Sequence, residues 1–330
     1  MRVIQVLASS EDGGLEKHFI ELCNSLSSKV ELIAIADKRF KKSIDKRVNF
    51  ISFDFSPSRN NPFMLFRILK VLKNQKADII HCQANKATSI VTKLKPFLDS
   101  KIIGSLHSQK RSVKAFDRCD FAITVSKRIS KNIKNPNKRV IYNGLNIESI
   151  KKSNYLKEQF NLDGFIFVSI GRLEVVKGYE WLIESFKNIN AKLLIIGQGS
   201  QESKLKELIK RVKLEQNIVI ETDYRDDIYK ILANSNCSII SSEREGFSYV
   251  FLESLLLNTP LLSTDVADIK EFIGDKYIID SKNITDKLNY AIENQKSMQS
   301  DFKESFKNAK ENLTFDSMIE QTISLYKEIL

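Results

Sequence analysis

The feature that most constrains the fold of this chain is a rhythm. Short β-branched runs alternate with amphipathic stretches from the first residues onward: "RVIQVL", "GLEKHFIELCNSLS", "VELIAIA", "VNFISF", "FMLFRILKVLKNQ", "DIIHC", "NKATSIVTKLKPFL", "KIIGSL", "DFAITVS" and "RVIYNG". The short runs are apolar at nearly every position rather than at alternate ones, so both faces of each strand need cover. A parallel sheet with helices on both sides provides it. The alternation lapses over residues 143–164, where turn formers and charges replace the strand pattern, and this stretch reads as a linker. It resumes with "FIFVSI", "KGYEWLIESFKN", "AKLLIIG", "SKLKELIKRVK", "NIVIET", "DDIYKILANS", "CSIISS", "YVFLESLLLN", "PLLST" and "KYIID". From about residue 283 the strand signal is gone and consecutive helices end in "FDSMIEQTISLYKEIL". The chain therefore reads as α/β, with two doubly wound parallel-sheet domains facing across a cleft. Its 330 residues also exceed what a single core usually serves, about 250–300 residues.

Composition narrows the function. The longest apolar stretches are interrupted and fall short of the ~20 residues of a membrane span. The first ten residues run into acidic "EDGG" with neither a long apolar core nor a cleavage site, so a cytoplasmic location is expected. Cys23, Cys82, Cys119 and Cys237 have no C-x-x-C spacing and read as reduced core thiols. Three histidines, His18, His81 and His107, lack the spacing of a ligand pair, so no protein-built metal site is expected. Residues 1–150 hold 28 Lys and Arg against 13 Asp and Glu, net +15; the remainder holds 24 against 28, net −4. Such asymmetry points to an anionic partner for the first half: nucleic acid, an anionic membrane surface or a phosphate-bearing substrate. A lysine-rich solvated surface is the plainer explanation.

In sheets of this kind ligands sit beyond the carboxyl ends of the strands, so the loops there carry the argument. "SIGRLEVVKG", residues 169–178, follows the first strand of the second domain. Gly171 frees the backbone, and Arg172 and Lys177 place two cations in one loop ahead of a helix. A helix N-terminus adds unpaired N–H groups and partial positive charge, which suits a diphosphate. "SEREGFSYVFLES", residues 242–254, follows "CSIISS" and places Glu245 in a loop and Glu253 about one turn into a helix. Gly246 lets the backbone approach a ligand, free amides near Ser248–Val250 point over the helix end, and Glu253 can reach vicinal hydroxyls. Taken singly, each feature also reads as an ordinary solvated loop or helix face. "IIGQGSQ", with Gly197 and Gly199, lacks the third glycine of a dinucleotide fingerprint, Glu202 standing in its place.

"GRLEVVKG" followed some seventy residues later by "SEREGFSYVFLE" resembles the signature of the family 4 glycosyltransferases of the GT-B fold, with their E-x7-E motif intact. The resemblance extends along nearly the whole chain, through "GGLEKH", "DIIHCQ", "SLHS", "TVSKRI", "YNGLN" and "IIGQGS". Agreement at several levels, in order, is what gives it weight. It implies an acceptor-binding domain over residues 1–150, a nucleotide-sugar donor domain over 151–310, and a helix, 311–330, that crosses back to the first domain. Arg172 and Lys177 would grip the donor diphosphate, Glu245 the transferred sugar and Glu253 the ribose hydroxyls. Backbone amides at Phe247, Ser248, Tyr249 and Val250 would meet the sugar and distal phosphate. Gly13 and Gly14 would bring a loop against the diphosphate, and His107 would stand near the anomeric carbon. His81 is assigned to structure and His18 to a solvated helix face.

The implied reaction is retaining and needs neither metal nor cofactor: a hexose or N-acetylhexosamine passes from a nucleotide diphosphate sugar, UDP favoured over GDP, to a glycan or lipid-linked acceptor of lipopolysaccharide, O-antigen or capsule. The basic first half would dock on the anionic inner leaflet, making the enzyme peripheral to the membrane. Attack and departure on one face of the sugar is favoured over a covalent Glu245 intermediate. The sequence departs from the family where Ser248 replaces a common Gly, Ser254 a common Ala and Ser108 a common Asp. Two alternatives remain: a sugar-nucleotide-modifying enzyme such as an epimerase, and a nucleic-acid-binding module, for which no recognition helix or aromatic-basic sheet is visible.

Overall fold

A computed structural model describes residues 1–9, 13–110 and 112–330. It divides into two compact units, Met1–Asn143 with Asp316–Leu330, and Gly144–Phe315.

In the first unit seven strands form one parallel sheet: β1 (Arg2–Leu7), β2 (Glu31–Ala36), β3 (Asn49–Ser52), β4 (Ile79–Gln83), β5 (Lys101–Leu106), β6 (Phe121–Thr124) and β7 (Lys138–Val140), in the order β3-β2-β1-β4-β5-β6-β7. The central strands are buried along almost their full length, which is why they read as unbroken apolar runs. Helices cover the sheet by turning one stripe inward. In the helix Pro62–Gln75, Met64, Ile68 and Leu72 join Ile33, Ile80 and Val91 in the core. Its boundaries follow from local chemistry: Asn61 accepts from the Met64 amide at 3.0 Å, Pro62 occupies the first turn, and Lys76 ends it at φ +47°.

The second unit holds five parallel strands: β8 (Ile166–Ile170), β9 (Lys192–Ile196), β10 (Ile218–Glu221), β11 (Cys237–Ile240) and β12 (Leu261–Ser263), in the order β10-β9-β8-β11-β12. "KYIID", expected as a further strand, is instead a short 3₁₀ turn over Asp275–Tyr277 followed by one bridge from Ile278 to Ser263. The strand it would pair with ends at Ser263, whose carbonyl accepts from the Ile279 amide at 2.9 Å, so the ladder has nowhere to continue. The helices Ile284–Glu293, Gln295–Asp301, Lys303–Asn312 and Phe315–Ile329 follow. None of the described helices is long and apolar enough to cross a membrane.

In both sheets the strand order reverses once, between β1 and β4 and between β8 and β11. At such a switch point the loops leaving adjacent strands diverge and open a crevice beyond the carboxyl ends.

Candidate active site

The crevice between β8 and β11 holds a cavity of about 250 Å³, walled by Gly171, Arg172, Lys177, Tyr179, Ser241, Ser242, Glu245 and Phe247–Val250 with the ends of both strands. The strand ends deliver these groups from two loops whose cationic and acidic members lie 68 positions apart in sequence. Lys177 Nζ donates to Glu245 Oε1 at 2.5 Å, and Ser242 Oγ donates to the same oxygen at 2.8 Å. Both charged side chains are largely buried, 20% and 13% exposed, which strengthens their attraction and rules out a freely solvated loop. An ammonium carries three donors, so Lys177 can keep Glu245 and still offer N–H groups to an anion. Arg172 is exposed at the rim.

The helix Tyr249–Leu256 starts at this cavity. Its cap is Ser248, whose hydroxyl accepts from the Phe251 amide at 3.3 Å, giving that departure from the family pattern a local role. Ser254 is fully buried and its hydroxyl donates to the Val250 carbonyl (2.6 Å) and pairs with Ser238 Oγ (2.8 Å), so this replacement of Ala is matched by a partner on β11. Glu253 stands fifth in the helix, half-buried and engaged in interactions of its own, and is not among the walls of the cavity. The structure thus gathers every residue expected of the donor site in this unit except Glu253.

Two glycines explain how the cationic loop is held. Gly178 (φ +70°) follows the turn Val175–Lys177, and a Cβ there would lie 2.2 Å from the Ser241 carbonyl oxygen. Gly197 (φ +155°) approaches the loop after β8 so closely that a Cβ would sit 1.9 Å from the Gly171 oxygen. Hydrogen bonds from Gly171 N to the Ile196 oxygen (2.9 Å) and Leu173 N to the Gln198 oxygen (2.8 Å) fasten the two loops. The fingerprint-like "GQG" therefore serves loop packing beside the cavity.

The switch point of the first sheet carries a different cluster. His107 Nε2–H donates to Gln83 Oε1 (2.8 Å), Gln83 Nε2 to Gln5 Oε1 (2.9 Å), and Gln5 Nε2 to the Tyr326 hydroxyl (2.8 Å). The Tyr326 hydroxyl lies 2.6 Å from His81 Nδ1, and His81 Nε2 2.7 Å from Ser105 Oγ. Because Gln83 presents an oxygen to His107 Nε2, that nitrogen carries the proton and Nδ1 is left as an acceptor. Burial pushes His18 down to about 4 and, with His18 nearby, His81 to about 3. Burial, with His18 and His81 alongside, holds the half-buried His107 well below its usual range.

His18 is a correction. It was expected on a solvated face, yet it is 7% exposed with its ring 4.8 Å from that of His107. The signal was present: His18, Leu22 and Leu26 recur every four residues on the buried stripe of the helix Gly14–Leu26. Gln5, Gln83 and Tyr326 were missed altogether. Gln5 faces His81 in the β1–β4 register, and His81 and Gln83 share one face two residues apart, so polar residues in apolar strands were the clue. Gly13, extended at φ −164°, precedes the helix that Gly14 begins; residues 10–12 of the same loop lie outside the described residues.

Fold and cavity together define a doubly wound α/β protein with paired sheets and a cation-bearing crevice at a switch point. The model of the group 1 glycosyl transferases matches residues 151–310, and that of glycosyltransferase family 4 matches residues 12–149. The chain belongs to this family, and its fold is GT-B. A Campylobacter jejuni N-acetylgalactosamine-N,N'-diacetylbacillosaminyl-diphospho-undecaprenol 4-alpha-N-acetylgalactosaminyltransferase is 30% identical over 139 residues, 41% of this chain and 37% of that protein, so the match spans well under half of its length. The Escherichia coli O-antigen biosynthesis glycosyltransferase WclY is 24% identical over 322 residues, 92% of this chain and 86% of that protein. Among solved structures, Anabaena HepE in complex with UDP has a TM-score of 0.87 at 17% identity, over 99% of this chain and 100% of that one, a likeness of fold.

Proposed function

We propose that this protein is a retaining glycosyltransferase that moves a hexose or N-acetylhexosamine from a nucleotide diphosphate sugar to a glycan or lipid-linked acceptor in lipopolysaccharide, O-antigen or capsule synthesis. The observation that carries the reading is the convergence of Arg172, Lys177 and the helix start at Ser248 on one cavity that also holds Glu245. Transfer builds negative charge on the departing diphosphate. Cations and amides fixed at that place stabilise it without reorganising, and loss of one such donor typically costs ~10²–10³ in rate. Positive charge supplied this way supports a metal-independent reaction. A UDP donor is favoured over GDP by the UDP-bound fold relative, and a lipid-linked acceptor by the name of the Campylobacter relative.

In this account Lys177 and Arg172 hold the diphosphate, and Glu245, fixed by Lys177 and Ser242, accepts from sugar hydroxyls. Glu253 is assigned to the ribose, Gly13 and Gly14 to the approach of the first-unit loop, and the neutral His107 to a hydroxyl partner. Incubating the protein with UDP-glucose, UDP-galactose and their N-acetylhexosamine counterparts, with and without a lipid-linked acceptor, tests the reading. Acceptor-dependent product with the donor's anomeric configuration by NMR is expected. An altered sugar nucleotide formed without acceptor would favour the epimerase alternative instead.

A further inference from the structure

Gln5, His81, Gln83 and Tyr326 are each buried, at most 2% exposed, among apolar neighbours such as Ile4, Val6, Ile80 and Cys82. Polar groups so placed are costly unless they are hydrogen-bonded, and here the bonds run in one direction. The Gln5 nitrogen faces the Tyr326 hydroxyl at 2.8 Å and His81 Nδ1 at 3.1 Å, where both of its N–H groups can be taken up. That turns the Gln5 oxygen to Gln83, whose nitrogen donates to it at 2.9 Å. The oxygen of Gln83 is then the end presented to His107 Nε2, at 2.8 Å. Turning over Gln83 alone would set oxygen against oxygen, and turning over Gln5 alone nitrogen against nitrogen, so the two amides are locked to each other. The backbone holds Gln83 as well. Ala84 follows it at φ +62°, a left-handed conformation that a residue with a Cβ rarely adopts, and starts the helix Ala84–Leu94 with no intervening loop. Among the described residues no hydrogen bond reaches His107 Nδ1.

We propose that Gln83 is a positioning residue for the transfer reaction: held by Gln5 and Tyr326, it fixes the proton of His107 on Nε2 and presents Nδ1 as the acceptor for a substrate hydroxyl. This role rests on the assignment of His107 to a substrate hydroxyl. An amide suits it better than a carboxylate would. Its oxygen orients the ring without the negative charge that would draw a second proton onto the imidazole and remove the acceptor. The far end of the chain of bonds is Tyr326, 321 positions from Gln5 and in the last helix, Phe315–Ile329. Burial pushes its phenol upward, so it stays neutral and keeps its proton. The final turns of the chain thereby help to set the ring that follows β5.

Long-range proton–nitrogen NMR of the full chain with isotope-labelled histidine reads the tautomer directly, His107→Gln assigning the signals. The parent should show Nε2 protonated and Nδ1 bare. Gln83→Met removes the oxygen and keeps the bulk, so the two ring nitrogens should move towards one another in shift as the tautomers exchange. With the sugar nucleotide that the parent uses best, and well below each variant's melting midpoint, kcat should fall by about twofold to tenfold, the worth of one neutral hydrogen bond, while the KM for that donor is unchanged. Tyr326→Phe removes only a hydroxyl and should shift the same signals less far, with kcat down about twofold. If Gln83→Met does not fold, Tyr326→Phe decides alone. A proton on Nδ1 in the parent, signals that stay put in the variants, or shifted signals with kcat unaltered would overturn the proposal. So would a donor KM that rises in step with the fall in kcat, the mark of general disruption. Shifts as described in a chain that turns over no sugar nucleotide would uphold the orienting of His107 by Gln83 and remove the proposed reaction.

Discussion

The switch points of the two sheets carry opposite chemistry. At the second, Lys177 and Glu245 form a largely buried ion pair beside the exposed Arg172. At the first, His81, His107, Gln5, Gln83 and Tyr326 form a chain of hydrogen bonds, and the His18 ring packs on that of His107. The difference suits what each place is proposed to hold. A diphosphate needs fixed charge, and a buried cation is tolerable only with a partner, which Glu245 provides. A sugar or acceptor hydroxyl needs a donor and an acceptor held at a set angle, and imidazoles buried beside one another are held towards the neutral form. One topology thus hosts an electrostatic site and a hydrogen-bonding site, distinguished only by residues at strand ends.

The sharpest way to break this contrast is Lys177→Ala. It leaves the Glu245 carboxylate buried without its cation, so transfer should fall by ~10²–10³ in initial-rate assays, and a rate within a few-fold of the parent would remove Lys177 from the charged site. Gly197→Ala should come next. With its Cβ directed at the Gly171 oxygen, the loop bearing Arg172 must move, costing about 1–3 kcal/mol in chemical denaturation and a matching loss of UDP affinity.

The neutral crevice predicts a pH signature. His18 and His81 are depressed in the folded chain and ordinary when unfolded, so the unfolded state binds more protons below pH 6.5. Their stabilisation is complete above that pH and drains as pH falls through it towards about 4, where His18 itself protonates. The slope should approach about 1.4 kcal/mol per pH unit for each histidine. His18→Phe should flatten it in urea titrations at graded pH, and an unaltered slope would place the protonation elsewhere. Ser248→Ala should show the smallest effect, about 1 kcal/mol of stability from the lost cap, read by thermal unfolding.

Much of this was legible in the chain, and for physical reasons. Strands covered on both faces must be apolar throughout, so the α/β alternation stood out along the chain, with a lapse over residues 143–164. Arg172, Lys177 and Glu245, expected in loops after strands, share one cavity. Their pairing was not legible, because an ion pair across 68 residues is set by register rather than by neighbours. "KYIID" had strand composition, but strand length is decided by the partner, and β12 stops at Ser263. His18 was assigned to a solvated face, although its spacing with Leu22 and Leu26 places it on the buried stripe. Glu253 fell on the expected helix, as its fifth residue, and is not among the residues that wall the cavity with Ser248 and Tyr249.

The central claim is that a nucleotide diphosphate rests on Arg172, Lys177 and the amides at Ser248–Val250, its charge met by protein groups alone. Calorimetric titration with UDP and with uridine, in excess chelator, tests it on the parent chain and on Arg172→Ala with Lys177→Ala. UDP should bind the parent despite the chelator and weaken about tenfold to a hundredfold per lost charged hydrogen bond in the variant, while uridine is unaffected. UDP affinity that survives both substitutions, or that vanishes in the parent when chelator is added, would contradict the account.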